Sequence, residues 1–95
     1  MRFVYDPAFL SKLKKVDVRI RKRVRERLLL FSKDPNNSQL DNHPLKRQWQ
    51  GYRSIDITSD YRAIYIETQI GDEIVAYFVA LGTHKQLYGR SKKHF

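Results

Sequence analysis

Chemistry in this chain could start at His43 and His84, because imidazole titrates near neutrality and can take up or release a proton there. Arg53 and Arg62 could hold phosphate oxygens through the guanidinium fork, and Tyr61, Tyr65 and Tyr88 could stack on a base or donate a proton. Such a set suits phosphodiester cleavage without a metal. A ribose 2′-hydroxyl must lose a proton as it attacks phosphorus, an acid must protonate the departing 5′-oxygen, and cations must meet the extra charge of the phosphorane. Every one of these residues also has a plain structural reading. A histidine in isolation is more often a surface side chain than a catalyst, and the arginines can pair across strands with Asp56 or Asp60. Tyrosines can finish a small core, and Ser59-Asp60 is ordinary turn chemistry. The histidines at 43, 84 and 94 are too dispersed for a metal cluster, so no metal or other cofactor is expected.

Charge fits a polyanionic partner without choosing one. A net charge of +9 on 95 residues attracts nucleic acid, acidic lipid or an acidic protein alike. The chain is 41% hydrophobic and 13% aromatic, too apolar for a disordered segment and enough for one modest core, so a single domain over 1–95 is expected. With no cysteine, a disulfide framework, a thiolate metal site and a cysteine nucleophile are all excluded, and a reducing compartment is compatible. The N-terminus lacks the apolar stretch of a signal peptide, and no run approaches the roughly 20 apolar residues of a membrane span, so a cytoplasmic location is expected.

The elements that must position these residues follow from periodicity. Met1 to Tyr5 reads as a short strand, and Asp6-Pro7 then opens a helix: the carboxylate can accept first-turn amides, and proline gives up an N–H that had no partner. Phe9, Leu10 and Leu13 mark the buried side of that helix, which ends near Lys15. Val16, Ile20, Val24, Leu28 and Phe31 form one apolar stripe along a second helix that stops before Asp34-Pro35. Its other faces carry Arg19, Arg21, Lys22, Arg23, Arg25 and Arg27, which make either a solvated face or an RNA contact. From Pro35 to Gln50 no period is clean, and a connection this long marks a candidate site loop, tethered by Leu40, Leu45 and Trp49.

Strands are expected over Tyr52 to Ile57, Tyr61 to Glu67 and Ile74 to Leu81, the last apolar on both faces as in a sheet interior. Thr58-Ser59-Asp60 and Gly71-Asp72 supply the turns. The order β-α-α-β-β-β predicts an α+β domain, with a helical hairpin packed on one face of a largely antiparallel sheet and the other face open. Thr83 and Gln86 have the spacing of a capping box, so a short helix turn should begin at His84, with its free amides and Lys85 as a seat for a phosphate. The tail from Arg90 to Phe95 adds basic residues and is expected to be disordered.

Four motifs in order carry a resemblance. Asn42-His43-Pro44-Leu45, Trp49-Gln50-Gly51-Tyr52-Arg53, Asp60-Tyr61-Arg62-Ala63-Ile64-Tyr65 and Leu81-Gly82-Thr83-His84-Lys85-Gln86-Leu87-Tyr88 together resemble the signature of YafQ-like toxins of the RelE/ParE superfamily. The resemblance runs from about Asn42 to Tyr88, whereas the N-terminal half agrees in element order more than in motif. It implies a toxin of a type II toxin-antitoxin system: a ribosome-dependent mRNA endoribonuclease, held at rest by a cognate antitoxin. It also implies His43, Asp60, His84 and Tyr88 at the cleavage site and Arg53 and Arg62 on the phosphate; Lys85, beside the helix start, and Tyr61, able to stack on a base, are expected as further RNA contacts from their residue types. One position departs, since YafQ-like toxins usually carry another histidine where this chain has Asp56.

Within that frame His84, in positive surroundings, suits the acid role or phosphorane stabilisation, and His43 suits the base. Asp60 could orient a histidine or act as base itself. Asp56 could be an alternative base or an ion-pair partner for Arg53 or Arg62. Two competing readings stand beside the nuclease: a ParE-like toxin that poisons DNA gyrase without cutting RNA, and a degenerate member that only binds antitoxin or RNA.

Overall fold

The computed structural model describes residues 1–89. The expected basic tail, Arg90 to Phe95, lies outside the described residues.

A short strand, β1 (Phe3–Tyr5), leads into α1 (Pro7–Lys15), and Asp6 caps that helix by accepting from the Ala8 amide, with Pro7 in the first turn. The second helix, α2 (Val18–Lys33), starts later than the apolar stripe suggests. Val16 is buried but extended, as the last cap of α1, and Asp17 accepts from the Arg19 amide to start the new helix. An apolar stripe records burial, not helicity, so it runs through the corner between the two helices.

Three long-range strands follow: β3 (Arg53–Asp56), β4 (Tyr61–Ile70) and β5 (Glu73–Thr83), and then α3 (His84–Tyr88). One more strand, β2 (His43–Pro44), lies inside the expected loop and pairs antiparallel with β3, between 3-10 turns at Ser38–Leu40 and Arg47–Trp49. The sheet is therefore five-stranded, in the order β1-β5-β4-β3-β2. Among the described strands only β1 runs parallel to its neighbour, β5. The longest apolar strand, β5, is interior, as its composition predicts.

Strand alternation sorts the sheet into two faces. Ile55, Ile57, Ala63, Tyr65, Ala76 and Phe78 join Phe9, Val24, Leu28 and Phe31 of the helices in the core. A bulge at Ile64/Tyr65 changes the register between β4 and β5, and beyond it Leu81, opposite Ala63, takes the core position. Ser54, Asp56, Arg62, Ile64 and Gly82 fall on the alternate positions, which face away from α1 and α2, with α3 packed over Gly82. Among the described residues no helix is long and apolar enough to cross a membrane.

Candidate active site on the open sheet face

A cavity of about 370 Å³ opens on that second face, lined by Asp41, His43, Leu45, Lys46, Ser54, Arg62, His84 and Tyr88. It brings together His43 from β2, Arg62 from β4, and His84 and Tyr88 from α3, residues spread over nearly half the sequence.

His43 reaches the cavity because β2 adds to the sheet edge with His43 opposite Ser54. Asp41, just before it, takes a left-handed backbone conformation with φ of 46°, which aspartate tolerates better than most residues. His43 Nδ1 then lies 2.7 Å from the Asp41 carbonyl oxygen. A carbonyl only accepts, so the neutral ring carries its proton on Nδ1 and its lone pair on Nε2. That leaves Nε2 as the ring atom able to accept a proton.

Arg62 is held on three sides. Its Nη1 donates to the carbonyls of Thr58 at 3.0 Å and Tyr61 at 3.1 Å, and its Nε lies 3.0 Å from Asp56 Oδ1. The last contact is a close ion pair without in-line hydrogen-bond geometry. Burial raises the Asp56 pKa, and the opposing pull of Arg62 does not cancel it. Nη2 has no acceptor among the described residues, so a fixed guanidinium presents its spare donors to the cavity. Asp56 is thus an ion-pair partner of Arg62, one of the two readings open from sequence.

His84 and Tyr88 are one helical turn apart on α3, with ring centroids 4.7 Å apart in an edge arrangement. The start of α3 is fixed twice: Thr83 and Gln86 form the expected capping box, and the His84 amide donates to the Asp60 carbonyl at 3.0 Å. Those bonds also revise the expected phosphate seat. The amides of His84 and Gln86 already have acceptors inside the fold, so the helix start does not offer a free set of donors. Trp49 ties the loop to the same helix, its Nε1 donating to the Leu87 carbonyl at 3.3 Å.

The remaining candidates lie elsewhere. Arg53 shares the parity of Ile55 and Ile57, so its side chain is on the helix side of the sheet and does not line the cavity. There Nε donates to Asn42 Oδ1 at 2.9 Å, and Asn42 Nδ2 in turn donates to the Pro35 carbonyl and the Tyr65 hydroxyl. Arg53 is therefore a clamp on the long loop. Tyr61, by the same parity, packs against the core rather than on the open face. Asp60 and Lys85 are exposed and outside the lining, and Asp60 meets His84 through its backbone only, its carboxylate having no partner among the described residues. Sequence reading missed Ser54, which lines the cavity with a buried hydroxyl. Its signal was parity, since it alternates with Ile55. Among the described residues no group of three or more His, Asp or Glu is placed to hold a metal ion.

Comparison with known proteins gives a consistent picture. The family described as "Bacterial toxin of type II toxin-antitoxin system, YafQ" matches residues 2–89. No curated protein sequence matches the chain. Among solved structures, YafQ from E. coli strain BL21(DE3) is similar at 26% identity and a TM-score of 0.63, covering 94% of this chain and 100% of that one. The E. coli DinJ-YafQ complex gives 27% identity and a TM-score of 0.60 over the same shares, 94% and 100%. The YoeB/ParE toxin from Agrobacterium tumefaciens shares the fold at 21% identity, with a TM-score of 0.69 over 88% of this chain and 99% of that one.

Proposed function

This chain belongs to the YafQ family of toxins of bacterial type II toxin-antitoxin systems, and from that premise we propose that it is an mRNA endoribonuclease that cuts messages on the ribosome. The observation that carries the reading is the cavity itself: a histidine with its lone pair on Nε2, a second histidine and a fixed arginine converge on one nucleotide-sized space.

The reaction needs no metal. His43 Nε2 takes the proton of the ribose 2′-hydroxyl as the oxygen attacks the adjacent phosphorus. The bond from phosphorus to the 5′-oxygen breaks, and His84 gives that oxygen its proton. Arg62 Nη2 meets the charge that builds on the non-bridging oxygens, and its prior anchoring means little reorganisation at the moment of reaction. Tyr88 packs its ring against His84 and offers a surface on which a base can stack. The products are a 2′,3′-cyclic phosphate and a 5′-hydroxyl. Asp60 contributes by holding the start of α3 through its carbonyl, and Lys85 adds long-range attraction for the message.

The partner at rest is a cognate antitoxin, as in the DinJ-YafQ complex, acidic where it meets this basic chain. Mapping transcript ends after brief induction tests the reading. Codon-phased cuts within translated messages are expected; intact messages with double-strand DNA breaks would mean a gyrase poison instead.

A further inference from the structure

We propose that Ser54 is a phosphate ligand, its hydroxyl donating to a non-bridging oxygen of the phosphodiester that Arg62 grips. The substrate class rests on the nuclease reading above, but the observation is separate from it. Ser54 is 1% exposed, lines the cavity, and its Oγ has no hydrogen-bond partner among the described residues. Buried polar groups are almost always paired, and an unpaired one is a standing cost to the fold. Local packing does not call for a hydroxyl here, because the cross-strand neighbour on β4 is Ile64. A polar group kept unsatisfied on a cavity wall is what a site looks like when its missing partner is the ligand.

The surroundings identify that ligand's chemistry. Ser54 lies opposite His43 on one side, and Arg62, two residues before Ile64, is its diagonal neighbour on the same face. Diagonal pairs on a sheet lie within about 7 to 8 Å, close enough for both to touch one small anion. Arg62 has committed Nη1 and Nε to Thr58, Tyr61 and Asp56, leaving Nη2 for the cavity. Lys46, His43 and His84 complete a basic rim, and Asp41, the acidic residue of the wall, is engaged with His43. A hydroxyl proton beside spare guanidinium donors suits an anionic acceptor.

Calorimetric titration of the full chain with adenosine 3′-monophosphate, and with adenosine as the phosphate-free control, tests the assignment. Ser54→Ala should weaken the nucleotide by about ten- to a hundred-fold, as losing a hydrogen bond to a charged group does, and leave adenosine unchanged. In an Arg62→Ala background the same change should cost less, because the two donors share one anion. The melting temperature should stay level or rise, since an unpaired hydroxyl has been removed. Nucleotide affinity within about twofold of wild type, an equal loss for adenosine, a markedly lower melting temperature, or no nucleotide binding by the wild type would each overturn the proposal. If the wild type binds the nucleotide through Ser54 yet cuts no message, the nuclease reading fails and the phosphate site stands.

Discussion

Asp56 Oδ1 and Arg62 Nε meet at 3.0 Å across β3 and β4, on the face of the sheet opposite α1 and α2. The pair fixes the cation of the site at a cost, because burial lifts the Asp56 pKa despite the adjacent guanidinium. A carboxyl with a raised folded pKa favours the fold most when protonated. That contribution is full below the ordinary carboxylate range, near about 4, and is lost as pH rises through the raised value. Asp56→Asn should therefore flatten this part of the stability profile, melting close to wild type at low pH and level with it or above it at neutral pH, where Arg62 keeps its two carbonyl acceptors. Activity should move the other way. With Arg62 less well held, cleavage should fall by about ten- to a hundred-fold, with kcat affected more than KM. Melting curves from pH 4 to 7 and cleavage kinetics check both halves, and an unchanged kcat would remove Asp56 from the positioning of Arg62.

Arg53 and Arg62 should behave as different kinds of residue. Arg62→Ala should weaken binding to every RNA tested and lower the salt dependence by about one phosphate contact, since backbone contacts carry no sequence information. Arg53→Ala removes the bond to Asn42 and should cost about 1 to 2 kcal/mol of stability. It should also expose the loop over 35–50 to proteolysis while leaving the salt slope of RNA binding unchanged. Equal effects of the two changes on that slope would contradict the two-face arrangement.

Far from the site, the Tyr77 hydroxyl donates to Asp6 Oδ1, tying the corner between β1 and α1 to β5. That bond, with the Ala8 amide, holds the Asp6 pKa below its usual value, and the same bond raises that of Tyr77. A lowered carboxylate pKa stabilises the fold above the ordinary value and is lost as pH falls through the depressed one. A raised tyrosine pKa stabilises below about 10 and is lost as pH climbs through the raised value. The gap in melting temperature between wild type and Tyr77→Phe should thus be widest between those ranges and close at both ends. A gap that stays constant from pH 2 to 11 would mean the bond does not carry it.

How much of this was legible in sequence can be judged from β3. The run Arg53-Ser54-Ile55-Asp56 gives strand and parity at once: Ile55 must face the helices, so Arg53 shares its face and Ser54 and Asp56 take the other. Residue type, by contrast, argued for Arg53 on the phosphate. The helical hairpin, the antiparallel meander and the capping box at Thr83 follow from local rules and were readable. Strand β2 was not, because two residues carry no period and its pairing is decided by β3 across the intervening loop. The Asp41 carbonyl that sets the His43 tautomer depends on a left-handed backbone at Asp41, which spacing does not reveal.

The histidines provide the most direct test of chemistry apart from fold. His43 and His84 are exposed, one on a two-residue edge strand and the other at a helix start, so neither contributes to the core. His43→Ala and His84→Ala, singly and together, should therefore leave melting within about 0.5 kcal/mol of wild type and antitoxin binding intact. Removing a general acid or base typically lowers the rate by about a hundred- to ten-thousand-fold. Because the two histidines serve one transition state, each single change should be nearly as damaging as the pair. Wild-type 5′ fragments should end in a 2′,3′-cyclic or 3′-phosphate, and a 3′-hydroxyl would rule out attack by the 2′-oxygen. A folded double variant as toxic as wild type would reduce both histidines to bystanders, and gyrase would then be the target to examine.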